Sequence, residues 1–212
     1  MPESRIIPFN PLDKKNLGEA VARALVHQKV IPLRELKPFI GAGIYAIYYT
    51  GSFPAYEYLS KTNRDKNFPI PIYVGKAVPR GSRKGGLIEA PPGNELYKRI
   101  SDHIKSINQA INLDLKDFYF RYLIVDEIWI PLGEALLITK LTPLWNLLVE
   151  GFGNHDPGKG RHAGVRPRWD VLHPGRPWAA RLRERDETAE QIIREIRDFL
   201  RNNPPPENLD YF

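Results

Sequence analysis

The stretches GIYAIYYTG (residues 43–51) and PIYVG (residues 71–75) decide the fold of this chain. Aromatic and β-branched residues dominate both, and short apolar runs of this composition are typical of buried β-strands. Each stretch also carries a tyrosine two positions from a glycine. The pattern leaves two roles open for Tyr45 and Tyr73: they pack inside a sheet, or they present phenol hydroxyls to a reaction centre.

The rest of the chain predicts a third strand and several helices around these strands. Composition predicts strands at 43–50, 70–75 and 117–125. Apolar residues at helical spacing predict helices at 13–29, 95–111, 131–141 and 186–200. Residues 51–69 read as a polar, aromatic loop, and no internal repeat is evident. This order predicts an α/β (α+β) fold, in which a small, mostly antiparallel central sheet is flanked by helices and carries basic insertions and terminal helices.

Positive charge is concentrated in two segments of the chain. The 212 residues have a net charge of +6 and a pI near 9.4. Residues 76–99 contain six basic side chains and residues 151–185 contain eight, with few acidic residues to oppose them. Two such segments suit a polyphosphate surface. A solvated basic face, an RNA-binding surface or a membrane surface would give the same imbalance.

Several kinds of site are excluded by composition. The chain has no cysteine, which rules out disulfides, thiolate zinc sites and a cysteine nucleophile, and which fits a cytoplasmic location. No apolar run is long enough to span a membrane. The stretch GNHDPGKG at 153–160 resembles a phosphate-binding loop, but Gly160 stands where that motif needs Ser or Thr. We therefore expect no nucleotide cofactor and no membrane partner.

The spacing of His155, His162 and His173 matches no standard metal signature, so DNA contact or plain loop chemistry is the preferred interpretation.

Helix 95–111 carries polar side chains within its apolar face. Its stripe consists of five apolar residues at intervals of three and four: Leu96, Ile100, Ile104, Ile107 and Ile111. His103 falls within this stripe, and Arg99 lies one turn earlier along its edge. A lone buried histidine is usually a satisfied core residue. An arginine one turn away changes the balance, because both side chains can contact phosphate oxygens.

Helix 131–141 repeats this anomaly with a carboxylate. Glu134 lies one turn before Leu137 and Ile138, on the face that they bury. A carboxylate there is costly unless it is paired or binds a cation. It is either an acidic residue favoured by the helix dipole or a ligand for a hard divalent ion. Asn146 follows the proline that ends this helix.

Taken together, these residues resemble the GIY-YIG nuclease superfamily. GIY stands at 43–45 and YVG at 73–75, followed in order by the polar residues described above and by Pro143. The resemblance covers residues 40–148, about half of the chain. In most of the superfamily a short hairpin separates the two halves of the signature, whereas Gly51 to Ile72 intervene here. That insertion and the basic loop after Lys76 resemble the restriction-endonuclease branch, in particular type II enzymes that cut GC-rich palindromes.

The resemblance implies an Mg²⁺-dependent hydrolysis of DNA phosphodiesters. It assigns catalytic roles to six residues: Tyr45, Tyr73, Arg99, His103, Glu134 and Asn146. The single metal ion, for which Mn²⁺ can substitute, would be held by Glu134. A tyrosine base needs help, because a free phenol has a pKa near 10.

Each of the other five residues has a role under this resemblance. Arg99 would contact the phosphate, and Tyr45 would accept the proton of the attacking water. His103 would act as the relay or orienting partner of Tyr45, and His103 as the base itself is the alternative. Tyr73 would position water or phosphate, and Asn146 would brace the site.

The implied partner is double-stranded DNA. We expect contacts to it from nine residues of the two basic segments: Lys76, Arg80, Arg83, Lys84, Lys159, Arg161, His162, Arg166 and Arg168. Arginine is the commonest reader of guanine in the major groove, so such an arm suits a GC-rich site. A palindromic target implies a homodimer with two-fold symmetry.

The expected organisation is a single nuclease domain over residues 1–212. A helical extension at 1–39 precedes the catalytic core at 40–148, and a basic DNA-binding arm with a helix follows at 149–212. Two other functions fit parts of the pattern. A structure-specific nuclease for repair or recombination would share the catalytic residues, and a catalytically inactive DNA-binding protein would need only the basic segments.

Overall fold

A four-stranded antiparallel sheet forms the centre of the computed structural model, which describes residue 10 and residues 13–79, 93–158 and 163–204. The strands are β1 (Ile31–Pro32), β2 (Gly43–Tyr49), β3 (Tyr73–Ala77) and β4 (Phe118–Ile124). They lie in the order β1-β4-β2-β3, and each neighbouring pair is antiparallel. The α+β class expected from the sequence is therefore confirmed.

Helices cover both faces of this sheet. The helices within the described residues are α1 (Lys14–Val26), α2 (Glu57–Asp65), α3 (Glu95–Gln109), α4 (Ile130–Leu141), α5 (Leu144–Leu147), α6 (Arg168–Leu172) and α7 (Ala189–Asn202). Short 3₁₀ turns occur at Leu33–Glu35, Pro54–Tyr56, Leu115–Asp117 and Ala179–Arg181. Across the described part of the chain, none of these helices has both the length and the apolar character needed to cross a bilayer.

The central strand β2 is buried along its whole length, because each of its faces is covered by a different layer. Ile44 and Ala46 pack into a cluster with residues of α1 and α4. Tyr45 and Ile47 point the other way and pack with residues of α3, α5 and α7. Alternation along a strand sends successive side chains to opposite faces. Any polar group on β2 is thus desolvated and needs a partner inside the protein.

The loop predicted over residues 51–69 is wrong, because this segment contains α2. Its inner face buries Ser60 and Asn63 beside Leu59. Ser60 donates to the Gly51 carbonyl at 2.6 Å, and the Asn63 amide bonds the backbone of Tyr49 and Ile70. Polar side chains here satisfy backbone groups at the end of β2, so the helix lacks the apolar stripe that periodicity detects.

The C-terminal arm is more structured than its sequence suggested. It contains α6, and several of its arginines form ion pairs. Arg168 binds Glu187 and Glu195, while Arg185 binds Glu187 and Glu150. These contacts tie the segment around α6 to α7. The arm is therefore a folded unit held together partly by residues that composition assigned to a polyphosphate surface.

A buried hydrogen-bond chain joins the arm to the core. The His173 Nε2 atom lies 2.7 Å from the Tyr56 hydroxyl, and its Nδ1 lies 2.9 Å from Asn112 Oδ1. The Trp145 indole also donates to the Tyr56 hydroxyl at 2.9 Å. Burial lowers the pKa of His173 to about 3. His173 is thus a neutral core residue with both ring nitrogens bonded, and its complete burial rules out the DNA contact considered for it from the sequence.

We predict that His173 makes the protein less stable at acidic pH. The unfolded residue binds a proton near its usual pKa of 6.5, whereas the folded residue does so only at about 3. The free energy of unfolding should therefore fall as the pH drops from about 6.5, by about 1.4 kcal/mol per pH unit from this residue.

The variant His173→Gln removes this titration and isolates its contribution. Its slope of unfolding free energy against pH, measured by urea denaturation between about pH 4 and pH 6, should be shallower than the wild-type slope by that amount. Identical slopes in the two proteins would show that His173 is protonated in the folded state.

Candidate active site

A buried hydrogen bond between Tyr45 and His103 lies at the centre of the candidate site. The Tyr45 hydroxyl, on β2, is 2.5 Å from His103 Nε2, on α3. His103 is buried in the same stripe as Leu96, Ile100 and Ile107, as the helical spacing predicted. The apolar stripe carries the histidine to the sheet because the helix buries that face.

Burial keeps both partners of this bond neutral. Desolvation raises the pKa of Tyr45 well above the usual tyrosine value, with the nearby Tyr73 adding to the effect. Desolvation lowers the pKa of His103 well below the usual histidine value, and the positive charge of Arg99 lowers it further. The Tyr45 hydroxyl and His103 Nε2 therefore share one hydrogen bond between two neutral groups.

The glycine that ends the YVG motif makes room for this hydroxyl. Gly75 pairs with Tyr45 across β2 and β3. A Cβ atom at Gly75 would lie 2.3 Å from the Tyr45 hydroxyl oxygen. The glycine of the GIY motif has a similar reason, because a Cβ at Gly43 would lie 2.0 Å from the Leu123 carbonyl oxygen of the neighbouring strand. Both glycines permit close approach within the sheet.

Tyr73 and Arg99 flank the Tyr45–His103 pair. The Tyr73 ring centre lies 6.2 Å from that of Tyr45 and 5.0 Å from that of His103. Desolvation raises the pKa of Tyr73, and the Arg99 charge opposes that shift. Arg99 is stabilised as a cation by Tyr45 and Tyr73, which raise its pKa against the effect of burial. The cluster thus brings two phenols and one imidazole together, with one guanidinium hydrogen-bonded to both phenols.

The C-terminal arm supplies the outer wall of this cluster. The Phe152 ring stacks on His103 at 4.4 Å with an interplanar angle of 16°. Arg99 donates to the Gly153 carbonyl at 3.1 Å and lies 2.7 Å from His155 Nε2. The sequence had not linked Phe152 or His155 to the catalytic set. From the sequence, His155 was interpreted as a DNA contact or a plain loop residue, and Phe152 lay in a stretch without periodicity.

Glu134 reaches the cluster from α4 and is paired with a cation. The Lys76 ammonium, on β3, lies 2.5 Å from Glu134 Oε2. The preceding residue, Gly133, lets α4 approach α1, because a Cβ there would lie 2.5 Å from a Val21 methyl. The Glu134 charge also raises the pKa values of Tyr45 and Tyr73, after the larger effect of burial. The carboxylate is therefore within electrostatic reach of both phenols.

Asn146 lies along the outer edge of β3. Its side chain accepts from the Val74 N–H at 2.7 Å and donates to the Val74 carbonyl at 2.8 Å. The Trp145 N–H donates to the Ile72 carbonyl at 2.8 Å. These bonds occupy backbone groups that an edge strand leaves open. Asn146 thus fixes the strand that carries Tyr73, while its amide bonds the backbone rather than the hydroxyl cluster.

The expected DNA-contact residues fall into three groups. Lys76 lies at the candidate site through its ion pair with Glu134. Arg166 and Arg168 lie in the arm, where Arg166 donates to the Ala179 carbonyl at 3.2 Å. Six residues lie outside the described part of the chain: Arg80, Arg83, Lys84, Lys159, Arg161 and His162.

Comparison with known families identifies the chain. Residues 37–200 match the family model described as the Eco29kI GIY-YIG domain. The chain belongs to the Eco29kI family of GIY-YIG restriction endonucleases. Membership makes it a DNA endonuclease and confirms the resemblance to the restriction branch of the superfamily. No curated protein matches the chain. The match extends past the expected core at 40–148 and into α7, so the Eco29kI-type domain includes the arm that supplies Phe152 and His155.

Proposed function

We propose that the protein is a type II restriction endonuclease that cuts both strands of DNA at a GC-rich palindromic site with the help of Mg²⁺. The buried Tyr45–His103 hydrogen bond carries this proposal. The Tyr56–His173 bond shows that such a pair can serve the core alone, whereas the Tyr45–His103 pair also has Arg99 beside both of its members. Their desolvation carries a free-energy cost that a catalytic role accounts for.

In this proposal Tyr45 and His103 move one proton together. The Tyr45 oxygen accepts a proton from the attacking water while its own proton passes to His103 Nε2. Tyr45 then stays neutral throughout, so its raised pKa is no obstacle, whereas the lowered pKa of His103 opposes protonation of the imidazole. Arg99 offsets negative charge on the phosphate, and Tyr73 orients the water or a phosphate oxygen. Asn146 holds the strand that carries Tyr73.

The residues of the site fit one hard divalent cation at Glu134. That carboxylate already attracts a cation, the Lys76 ammonium at 2.5 Å. Among the described residues, no cluster of three or more histidine, cysteine or acidic side chains could hold a metal ion. Glu134 would hold the ion together with water and phosphate oxygens, and Lys76 would turn to the DNA. When bound, Mg²⁺ would supply positive charge to the phosphate, and Mn²⁺ would substitute for it.

The proposed DNA surface combines Lys76 with the segments around the site. Arg166 in the arm, together with Arg80, Arg83, Lys84, Lys159, Arg161 and His162, would follow the phosphate backbone and read guanine edges. Arg168 was expected to contact DNA as well. Its ion pairs with Glu187 and Glu195 support a role in holding the arm, through which it would contribute to DNA binding indirectly.

We predict that the Glu134→Ala protein binds DNA but does not cleave it, since its proposed metal ligand is missing. Wild-type protein, incubated with plasmid and Mg²⁺, should give discrete fragments whose ends map to one palindrome. The matched control is Glu57→Ala, which removes an exposed glutamate from α2 and should leave cleavage unchanged.

The fragment pattern decides between the proposed function and its alternatives. Undiminished cleavage by Glu134→Ala would refute the metal assignment. Cuts confined to branched DNA would replace restriction by repair or recombination. Binding without any cleavage by the wild-type protein would favour the inactive DNA-binding reading.

We predict that Tyr45→Phe and His103→Ala each lower the single-turnover cleavage rate by at least about 100-fold, as expected for a lost general base. Both changes interrupt the same proton path. Tyr49→Phe is the matched control, because it removes another largely buried tyrosine hydroxyl, one that accepts from the Phe53 N–H away from His103. Near-normal cleavage by Tyr45→Phe with loss in His103→Ala would make His103 the base that meets the water.

We predict that the protein acts as a homodimer, because a palindrome presents the same sequence to two symmetric active sites. Sedimentation of the protein on a cognate duplex should give the mass of two chains per duplex. A monomeric mass, both free and on that duplex, would rule out the dimer while leaving the catalytic assignment intact.

A further inference from the structure

The orientation of Arg99 is set by a loop of the C-terminal arm. Its Nη2 donates to the Gly153 carbonyl at 3.1 Å, and its Nη1 lies 2.7 Å from His155 Nε2. Because arginine has no acceptor, Nη1 donates and the imidazole accepts. A Cβ atom at Gly153 would lie 2.8 Å from both the Arg99 Nη2 atom and the Tyr73 hydroxyl. The loop thus packs closely against Arg99 and Tyr73, the two side chains proposed to face the phosphate.

This loop is fastened from behind by a buried arginine. Arg176 is only 1% exposed and pairs with Asp170 through Nε at 2.6 Å and Nη2 at 2.5 Å. Its remaining donors bind three of the four carbonyls at positions 151–154, with Gly151 at 2.9 Å, Phe152 at 3.1 Å and Asn154 at 3.2 Å. A guanidinium with both terminal nitrogens occupied in this way fixes the loop backbone.

Two indole rings enclose this guanidinium. Arg176 lies over the Trp169 ring at 4.4 Å and over the Trp178 ring at 4.6 Å, which compensates for part of its desolvation. The loop that ends in His155 is therefore attached to a rigid part of the arm. Rigid support is what a group must have if it is to hold another side chain in a productive orientation.

We propose that His155 is a positioning residue for cleavage, which acts by holding the Arg99 guanidinium. The proposal rests on the proposed function, in which Arg99 meets the phosphate. His155 and the Gly153 carbonyl bind one edge of the guanidinium, which also forms hydrogen bonds with the hydroxyls of Tyr45 and Tyr73. Because the arm binds one edge of the guanidinium, Arg99 stays in one rotamer. Its remaining donors then stay directed at the phosphate.

The alternative role for His155 is direct contact with DNA. The side chain is exposed, and direct contact would make it contribute to affinity whether or not Arg99 is present. A positioning role makes its contribution depend on Arg99. A positioning role therefore predicts that the effect of a His155 substitution falls on kcat and is lost when Arg99 is also replaced. Direct contact predicts an effect on KM that persists without Arg99.

The test compares His155→Leu, which removes the acceptor, with His155→Gln, which keeps an acceptor oxygen near the position of Nε2. We expect His155→Leu to lower kcat roughly 10- to 100-fold with KM for DNA nearly unchanged, and His155→Gln to keep most of the activity. In the Arg99→Lys background, His155→Leu should cost less than about two-fold, because lysine has no planar fork to orient. The control Asn154→Ala changes the exposed neighbouring side chain and should cleave normally.

A second measurement does not need cleavage. In protein labelled with ¹⁵N-arginine, the Nη signals of Arg99, assigned through Arg99→Lys, should show slow rotation in wild type and His155→Gln and fast rotation in His155→Leu. Unchanged Arg99 signals and unchanged kcat in His155→Leu would overturn the proposal, as would a rise in KM alone. A wild-type protein that fails to cut the plasmid refutes the proposed function instead, and the Arg99 signals still decide the role of His155.

Discussion

Burial of the Tyr45–His103 hydrogen bond is the constraint on which the rest of the site depends. Strand β2 is covered on both faces, so its tyrosine hydroxyl has no water to bond and takes the imidazole of α3 as its partner. The same desolvation raises one pKa and lowers the other, which leaves a neutral donor facing a neutral acceptor. Gly75 is needed beside this bond, because any larger residue would occupy the space of the hydroxyl.

The positions of Asn146 and Glu134 follow from how strand β3 and helix α4 pack around this bond. Asn146 occupies the open edge of β3, and α4 brings Glu134 close to Lys76 because Gly133 lets the helix pack tightly. Side chains from both layers of the fold therefore contact the edge strand β3, with Asn146 on its backbone and Glu134 on its Lys76. A sheet edge suits this purpose because it is where the backbone would otherwise remain unpaired.

The C-terminal arm belongs to the site as much as the sheet does. Phe152 stacks on His103, and the loop around Gly153 binds Arg99. Its position depends on the buried Arg176–Asp170 pair, which is expensive to desolvate and is compensated by carbonyls and two indoles. The family domain extends through the arm to residue 200, in agreement with this dependence. The basic composition of the arm therefore reflects internal structure as well as affinity for phosphate.

Composition and local pattern were enough to predict the class of fold, the main strands, the long helices and the family. Alternation and helical spacing are local properties, so Tyr45, His103 and Glu134 could be placed on their elements from the chain alone. The helix within residues 51–69 became visible only in the folded structure. Its buried face is polar and satisfies backbone groups distant in sequence, so it leaves no apolar pattern in the chain. Tertiary structure alone also separated the buried Arg176 from exposed arginines and joined His155 to Arg99. Charge and spacing carry no record of such contacts, since burial and partners are set by how distant segments pack.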